Sequence, residues 1–150
     1  MIKLLTRCLT LLLCAIFLVA NPGFAEQNEE AYRQWEKDNA AAARAFDEAR
    51  YSEALSLYQT ALVHAEKITY GGPRAITYYG MAKTYHKDRK TSEAETYYKR
   101  ALDIFDSSAR RRTSYLASCI KDYASLLREL GRGSEAAELE GRLKPAQQQN

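Results

Sequence analysis

The residues of this chain that could act on another molecule are two histidines, a cysteine in a helical stretch, and many interleaved carboxylates and cations. Their spacing offers little catalysis. His64 and His86 do not stand at metal-ligand distance from any cysteine, and no Gly-rich phosphate loop, His-Glu-x-x-His or nucleophile elbow occurs. Carboxylates and cations alternate as they do on solvated helix faces, with Glu95 and Lys99 four residues apart as an example. The sequence therefore predicts no enzyme, no metal site and no cofactor. Binding residues remain. Tyr79, Lys83 and His86 follow one another at i, i+4 and i+7, as do Lys121, Ser125 and Arg128, and Asn39, Ala43 and Phe46. On helices each such triplet forms one stripe. Cations beside an aromatic platform suit an acidic or C-terminal peptide; the alternative is ordinary solubilising charge. Arg110-Arg111-Arg112 is the densest charge cluster. It reads as an exposed turn whose charge complements the C-terminal dipole of the helix before it, with a contact to anionic lipid or an acidic partner as the other reading.

The elements that would position these residues are helical. Leu116, Ile120, Tyr123, Leu127 and Leu130 step by four and three residues, and Ala54, Leu55, Tyr58, Ala61, Leu62 and Ala65 do the same. Beyond the N-terminus, no stretch alternates like a strand for long. Gly71-Gly72-Pro73 permits a helix end followed by Pro in the next first turn. Gly131 and Gly133 separate another two helices. Ser52 and Ser134 read as N-caps, with Glu53 and Glu135 favourably placed against the helix dipole. These signals predict helices near 29–48, 52–69, 73–88, 91–107, 112–130 and 134–143, an all-α fold of three antiparallel pairs. A mobile acidic lead-in over 26–30, a repeat domain over 31–143 and a disordered tail over 144–150 complete the expected organisation.

The first 25 residues have the layout of a secretory signal. Lys3 and Arg7 precede an apolar run from Leu9 to Ala20, and Gly23-Phe24-Ala25 offers small residues before Glu26. That run is shorter than the roughly 17–25 residues that span a bilayer, and Leu13 before Cys14 does not suit lipidation. The expected protein is exported: periplasmic in a Gram-negative bacterium, otherwise secreted, with no stable membrane span after cleavage. Loss of Lys3 and Arg7 takes the net charge from +3 to +1, which gives no reason to expect a nucleic-acid partner. Of the three cysteines only Cys119 lies beyond the signal, so the fold must hold without an internal disulfide. Its place beside Ile120 in an apolar pattern predicts a buried, inert thiol.

Ala54-Tyr58-Ala61-Leu62 reappears as Ala94-Tyr98-Ala101-Leu102, and a weaker copy starts at Ala136. Small residues Ala42, Ala82 and Ala124 stand at a constant distance before each copy. On these residues the chain resembles the tetratricopeptide repeat family, with longer intervals like those of the kinesin light chain variant. The resemblance implies a right-handed α-solenoid in which small residues allow close helix approach and aromatics fill the wedges. The third unit departs from the pattern, with Glu140 in the aromatic's place and Leu143 in that of the second small residue, as suits a terminal cap. The first unit places Asp38 where an apolar residue is expected, with Trp35 nearby.

The resemblance also implies a groove lined by the first helix of each pair: Asn39, Phe46, Tyr79, Lys83, His86, Lys121, Ser125 and Arg128. Of the family's carboxylate clamp only Lys121 matches, since Asn39, Ala43, Lys83 and Ser125 replace the side chains it needs. The expected role is an interaction module, scaffold or adaptor, that holds a protein or peptide in this groove. The alternative is a structural subunit that self-associates through its end faces.

Overall fold

The structure of the protein, a computed structural model, describes residues 22–107 and 114–143. The expected signal up to residue 21, Arg110-Arg111-Arg112 and the tail from Lys144 lie outside the described residues. The described residues form six helices and no strand: α1 (Pro22–Asp47), α2 (Tyr51–Ala65), α3 (Gly72–Lys87), α4 (Thr91–Ser107), α5 (Ser114–Glu129) and α6 (Gly133–Gly141). They pack as pairs, α1 with α2, α3 with α4 and α5 with α6. Each pair joins the next through α2 against α3 and α4 against α5, and the first helices also touch along α1, α3 and α5.

Small residues set the spacing within pairs. Ala42, Ala82 and Ala124 on the first helices, and Ala54, Ala94 and Ala136 on the second, are all completely buried. Side chains this short let two helix backbones approach closely. The aromatics of the repeat then reach into the next pair. Tyr58 of α2 crosses onto α3 at Gly80, where an added Cβ would stand 2.4 Å from the Tyr58 ring. Gly80→Val should therefore destabilise the protein by about 1–3 kcal/mol through overpacking, measured as a lowered midpoint in urea. An unchanged midpoint would show that the Tyr58 ring has room to move aside.

The turn inside each pair is a recurring device. Ala49, Arg89 and Gly131 take left-handed φ values of 59°, 59° and 76°, at intervals of 40 and 42 residues. At each, two backbone bonds close the preceding helix; at Gly131 they are Gly131 N–H to Arg128 O (3.0 Å) and Arg132 N–H to Leu127 O (2.8 Å). This is the Schellman arrangement. Glycine serves it without side-chain strain at one of the three sites only.

Helix starts differ from the expectation. Ser52 and Ser134 lie inside their first turns, and the N-cap positions belong to Arg50 and Arg132, which make no side-chain cap bond. Guanidinium–carboxylate pairing takes the place of capping. Arg50 bonds Glu48 and Glu53, and Arg132 bonds Glu135 at 2.6 Å. Pro73 does stand in the first turn of α3. At the N-terminus α1 starts at Pro22, so residues 26–30 are helical. The irregular first unit also has a physical basis: Trp35 is buried and donates Nε1–H to Thr77 Oγ1 at 2.8 Å, while Asp38 faces His64 Nε2 at 3.5 Å.

Candidate functional site

The first helices bring most of the expected binding residues together, through contacts that cross from one pair to the next. Lys83 of α3 holds its ammonium 4.7 Å from the ring centre of Phe46 on α1 and 5.6 Å from that of Tyr79. Attraction between a cation and an aromatic face holds this geometry. Asn39 Oδ1 lies 3.5 Å from Thr77 Oγ1, again joining α1 to α3. Tyr79 is mostly buried and donates its hydroxyl to Asp122 Oδ2 of α5 at 2.6 Å. Burial, then the bond to Asp122, pushes its phenol well above the ordinary range. His86 Nε2 lies 3.0 Å from Glu129 Oε2, and Ser125 Oγ reaches the other oxygen of the same carboxylate at 3.5 Å. The bond to His86 is the main reason that Glu129 ionises more readily than usual.

Lys121 and Arg128 are not part of this row. Arg128 grips Glu140 of α6 with two bonds of 2.9 and 2.5 Å, and the charge of Lys121 also lowers the Glu140 carboxyl. Glu140 stands where the repeat would place an aromatic, and it holds Arg128 against the last helix. The stripe of α5 that faces α3 carries Asp122 and Glu129 instead, one residue on from each of the expected cations. One helical residue is a rotation of about 100°, enough to exchange a basic stripe for an acidic one. The row is therefore of mixed charge, Lys83 against Asp122 and Glu129, and not cationic as its sequence suggested. The signal for this was present: Asp122 and Glu129 stand seven apart, the spacing of one stripe.

Beneath the row lies Tyr98 of α4, with no exposed surface. Its ring stacks on Tyr123 at 5.4 Å and meets His86 edge-on at 6.3 Å, and its buried hydroxyl has no hydrogen-bond partner among the described residues. Burial first, and the charge of Asp122 second, holds that phenol protonated far above its ordinary range.

Glu95 is a correction to the solvated-face reading. Its side chain is only 18% exposed, and it accepts from Lys99 Nζ at 2.7 Å, Arg132 Nη1 at 2.8 Å and Tyr123 OH at 3.1 Å. Three donors from α4, α5 and the α5–α6 turn hold its carboxyl down at about 2, the Lys99 bond contributing most. Cys119 is buried, as its sequence context suggested. Burial, with Asp122 adding to it, pushes the thiol up to about 12. Reagents that need the thiolate should leave Cys119 untouched in the folded protein and modify it only on unfolding, which titration with a chromogenic disulfide in rising urea measures; rapid reaction without denaturant would contradict its placement.

Elsewhere, a cleft of about 420 Å³ opens between α1 and α2, beside Gln27, Asn28, Gln34, His64 and Lys67. Among the described residues no three His, Cys, Asp or Glu side chains are grouped to hold a metal ion, and no helix is long and apolar enough to cross a membrane.

The sequence pattern of the tetratricopeptide repeat family matches residues 36–107. The match runs from within α1 to the end of α4 and so covers the first two pairs, including Phe46, Tyr79, Lys83 and His86. No curated protein and no solved structure matches the chain. Paired helices, buried small residues at the repeating positions and this match agree, and residues 36–107 are tetratricopeptide repeats.

Proposed function

We propose that this protein is an exported adaptor that takes a segment of a partner protein along the row formed by α1, α3 and α5. Lys83 is the observation that carries the reading. Its ammonium is fixed over two rings, and no carboxylate among the described residues pairs with it, so its donors stay free for a carboxylate on the partner. A cation fixed before binding has little rotamer freedom left to lose, which favours a specific contact. Asp122 and Glu129 on the facing stripe favour a segment that carries a basic group as well. Export rests on the charged start, apolar run and small residues before Glu26.

Two experiments test this reading. A photo-activated amino acid at position 83 should crosslink one partner in living cells, and the same probe at exposed Gln59 should not. Equal, promiscuous labelling from both positions would sink the assignment. For export, residues 1–25 fused to alkaline phosphatase should give an active enzyme outside the cytoplasm; activity confined to cells engineered for cytoplasmic disulfides would contradict it.

A further inference from the structure

A cluster of tyrosines lies on a different side of α3, against α4. Tyr78 and Tyr85, seven residues apart on α3, meet Tyr97 of α4 at 5.9 and 5.3 Å, the latter pair stacked within 14°. All three rings are half-buried. Arg100 of α4 lies over two of them, with its guanidinium carbon 5.2 Å from the Tyr97 centroid and 5.9 Å from that of Tyr78. Arg74 stands one turn before Tyr78 on α3. An atom added at Gly71 would lie 3.8 Å from Arg74 Nη2 and 2.6 Å from Ile104 Cγ2, so the Arg74 guanidinium and Ile104, one turn beyond Arg100 on α4, flank the same point.

Arg33, Arg50, Arg128, Arg132 and Arg142 each grip a carboxylate. Arg44, Arg74, Arg89 and Arg100 pair with no carboxylate among the described residues, but of these four only Arg100 lies over aromatic rings and only Arg74 keeps a buried nitrogen without a partner. A buried donor without a partner is costly and uncommon. Stacking on tyrosine fixes a guanidinium while leaving its in-plane N–H groups free for a two-point bond to a carboxylate. Tyrosine and arginine are also the residues that dominate binding energy at protein interfaces.

We infer that Arg74, Arg100 and the Tyr78–Tyr85–Tyr97 cluster form a second docking site, for an acidic peptide segment of a partner protein, separate from the row that holds Lys83. Membrane lipid fits less well, because adsorption to anionic lipid draws on clusters of about 4–8 basic residues.

The test uses the full chain and a fluorescein-labelled oligoglutamate peptide, followed by anisotropy at low salt. Arg100→Gln, a change at an exposed side chain, should weaken binding about tenfold. The Arg74→Gln/Arg100→Gln double variant should weaken it further, Arg100→Lys should restore only part, and Lys37→Gln, at an exposed position of α1 outside both sites, should leave it unchanged. Retained helicity by circular dichroism shows that each variant is folded. Three results would overturn the site: unchanged affinity in folded Arg100→Gln, loss of binding in Lys83→Gln instead, or arginine-dependent binding to phosphatidylglycerol vesicles with none to the peptide.

Discussion

Tyr98→Ala should remove about 3–5 kcal/mol of stability, while Tyr98→Phe should leave the protein as stable as before or more so. The two substitutions separate the ring from its hydroxyl. The ring is fully buried, stacks on Tyr123 and touches both His86 and Tyr79, so it joins the second pair to the third. Truncating such a side chain loses its transfer energy and leaves a cavity that helices cannot fully close. The hydroxyl makes no compensating bond among the described residues. Removing an unsatisfied buried polar group costs nothing in contacts and relieves its desolvation, worth about 1–3 kcal/mol at most. Urea melts of the three proteins provide the comparison. A large loss in Tyr98→Phe would show that the hydroxyl has a partner and that this account of the seam is wrong.

Glu95→Ala should cost about 2–3 kcal/mol, the scale of losing hydrogen bonds to a charged group, and the loss should fall first on the last pair. Glu95 ties α4 to Tyr123 of α5 and to Arg132 at the start of α6. Helix α6 has nine residues and buries only Ala136 completely, so it has little else to hold it. Amide exchange in α6 should accelerate while that in α3 and α4 changes less. The same carboxylate sets an acid dependence. Its folded pKa of about 2 lies below the ordinary 4.5, so its contribution is complete above about 4.5 and fades as the pH falls toward 2. Glu95→Gln should flatten that acid limb of stability. An acid limb identical to that of the wild type would assign the effect to other carboxylates.

How much of this was legible in the sequence follows from what repeats. The alanines and tyrosines recur because every pair must solve the same packing problem, and periodicity exposed them. The left-handed turn residues also recur at 40 and 42 residues, but Ala49 and Arg89 are not glycines, so composition hid the device that Gly131 displays. Capping was misread because serine is a good N-cap in isolation, whereas here Arg50 and Arg132 bond nearby carboxylates. The row itself was half legible. Phe46, Tyr79, Lys83 and His86 fell on one surface because α3 and the end of α1 keep the repeat's register. On α5 the choice of stripe was one residue off, since periodicity fixes the buried face more sharply than it divides the exposed one. Glu95 and Asp122 were missed because their partners are distant in sequence: Arg132 and Tyr123 for one, Tyr79 for the other.

The most direct test of the central claim is the affinity of the partner crosslinked from position 83 for wild-type protein, Lys83→Glu and Arg100→Gln, measured by titration calorimetry. The row predicts that Lys83→Glu, which replaces a charge-assisted bond with like-charge repulsion, weakens binding about a hundredfold. Arg100→Gln should leave binding through the row unchanged. Unaltered affinity in folded Lys83→Glu would contradict the account and remove the row of α1, α3 and α5 as the place where the partner binds.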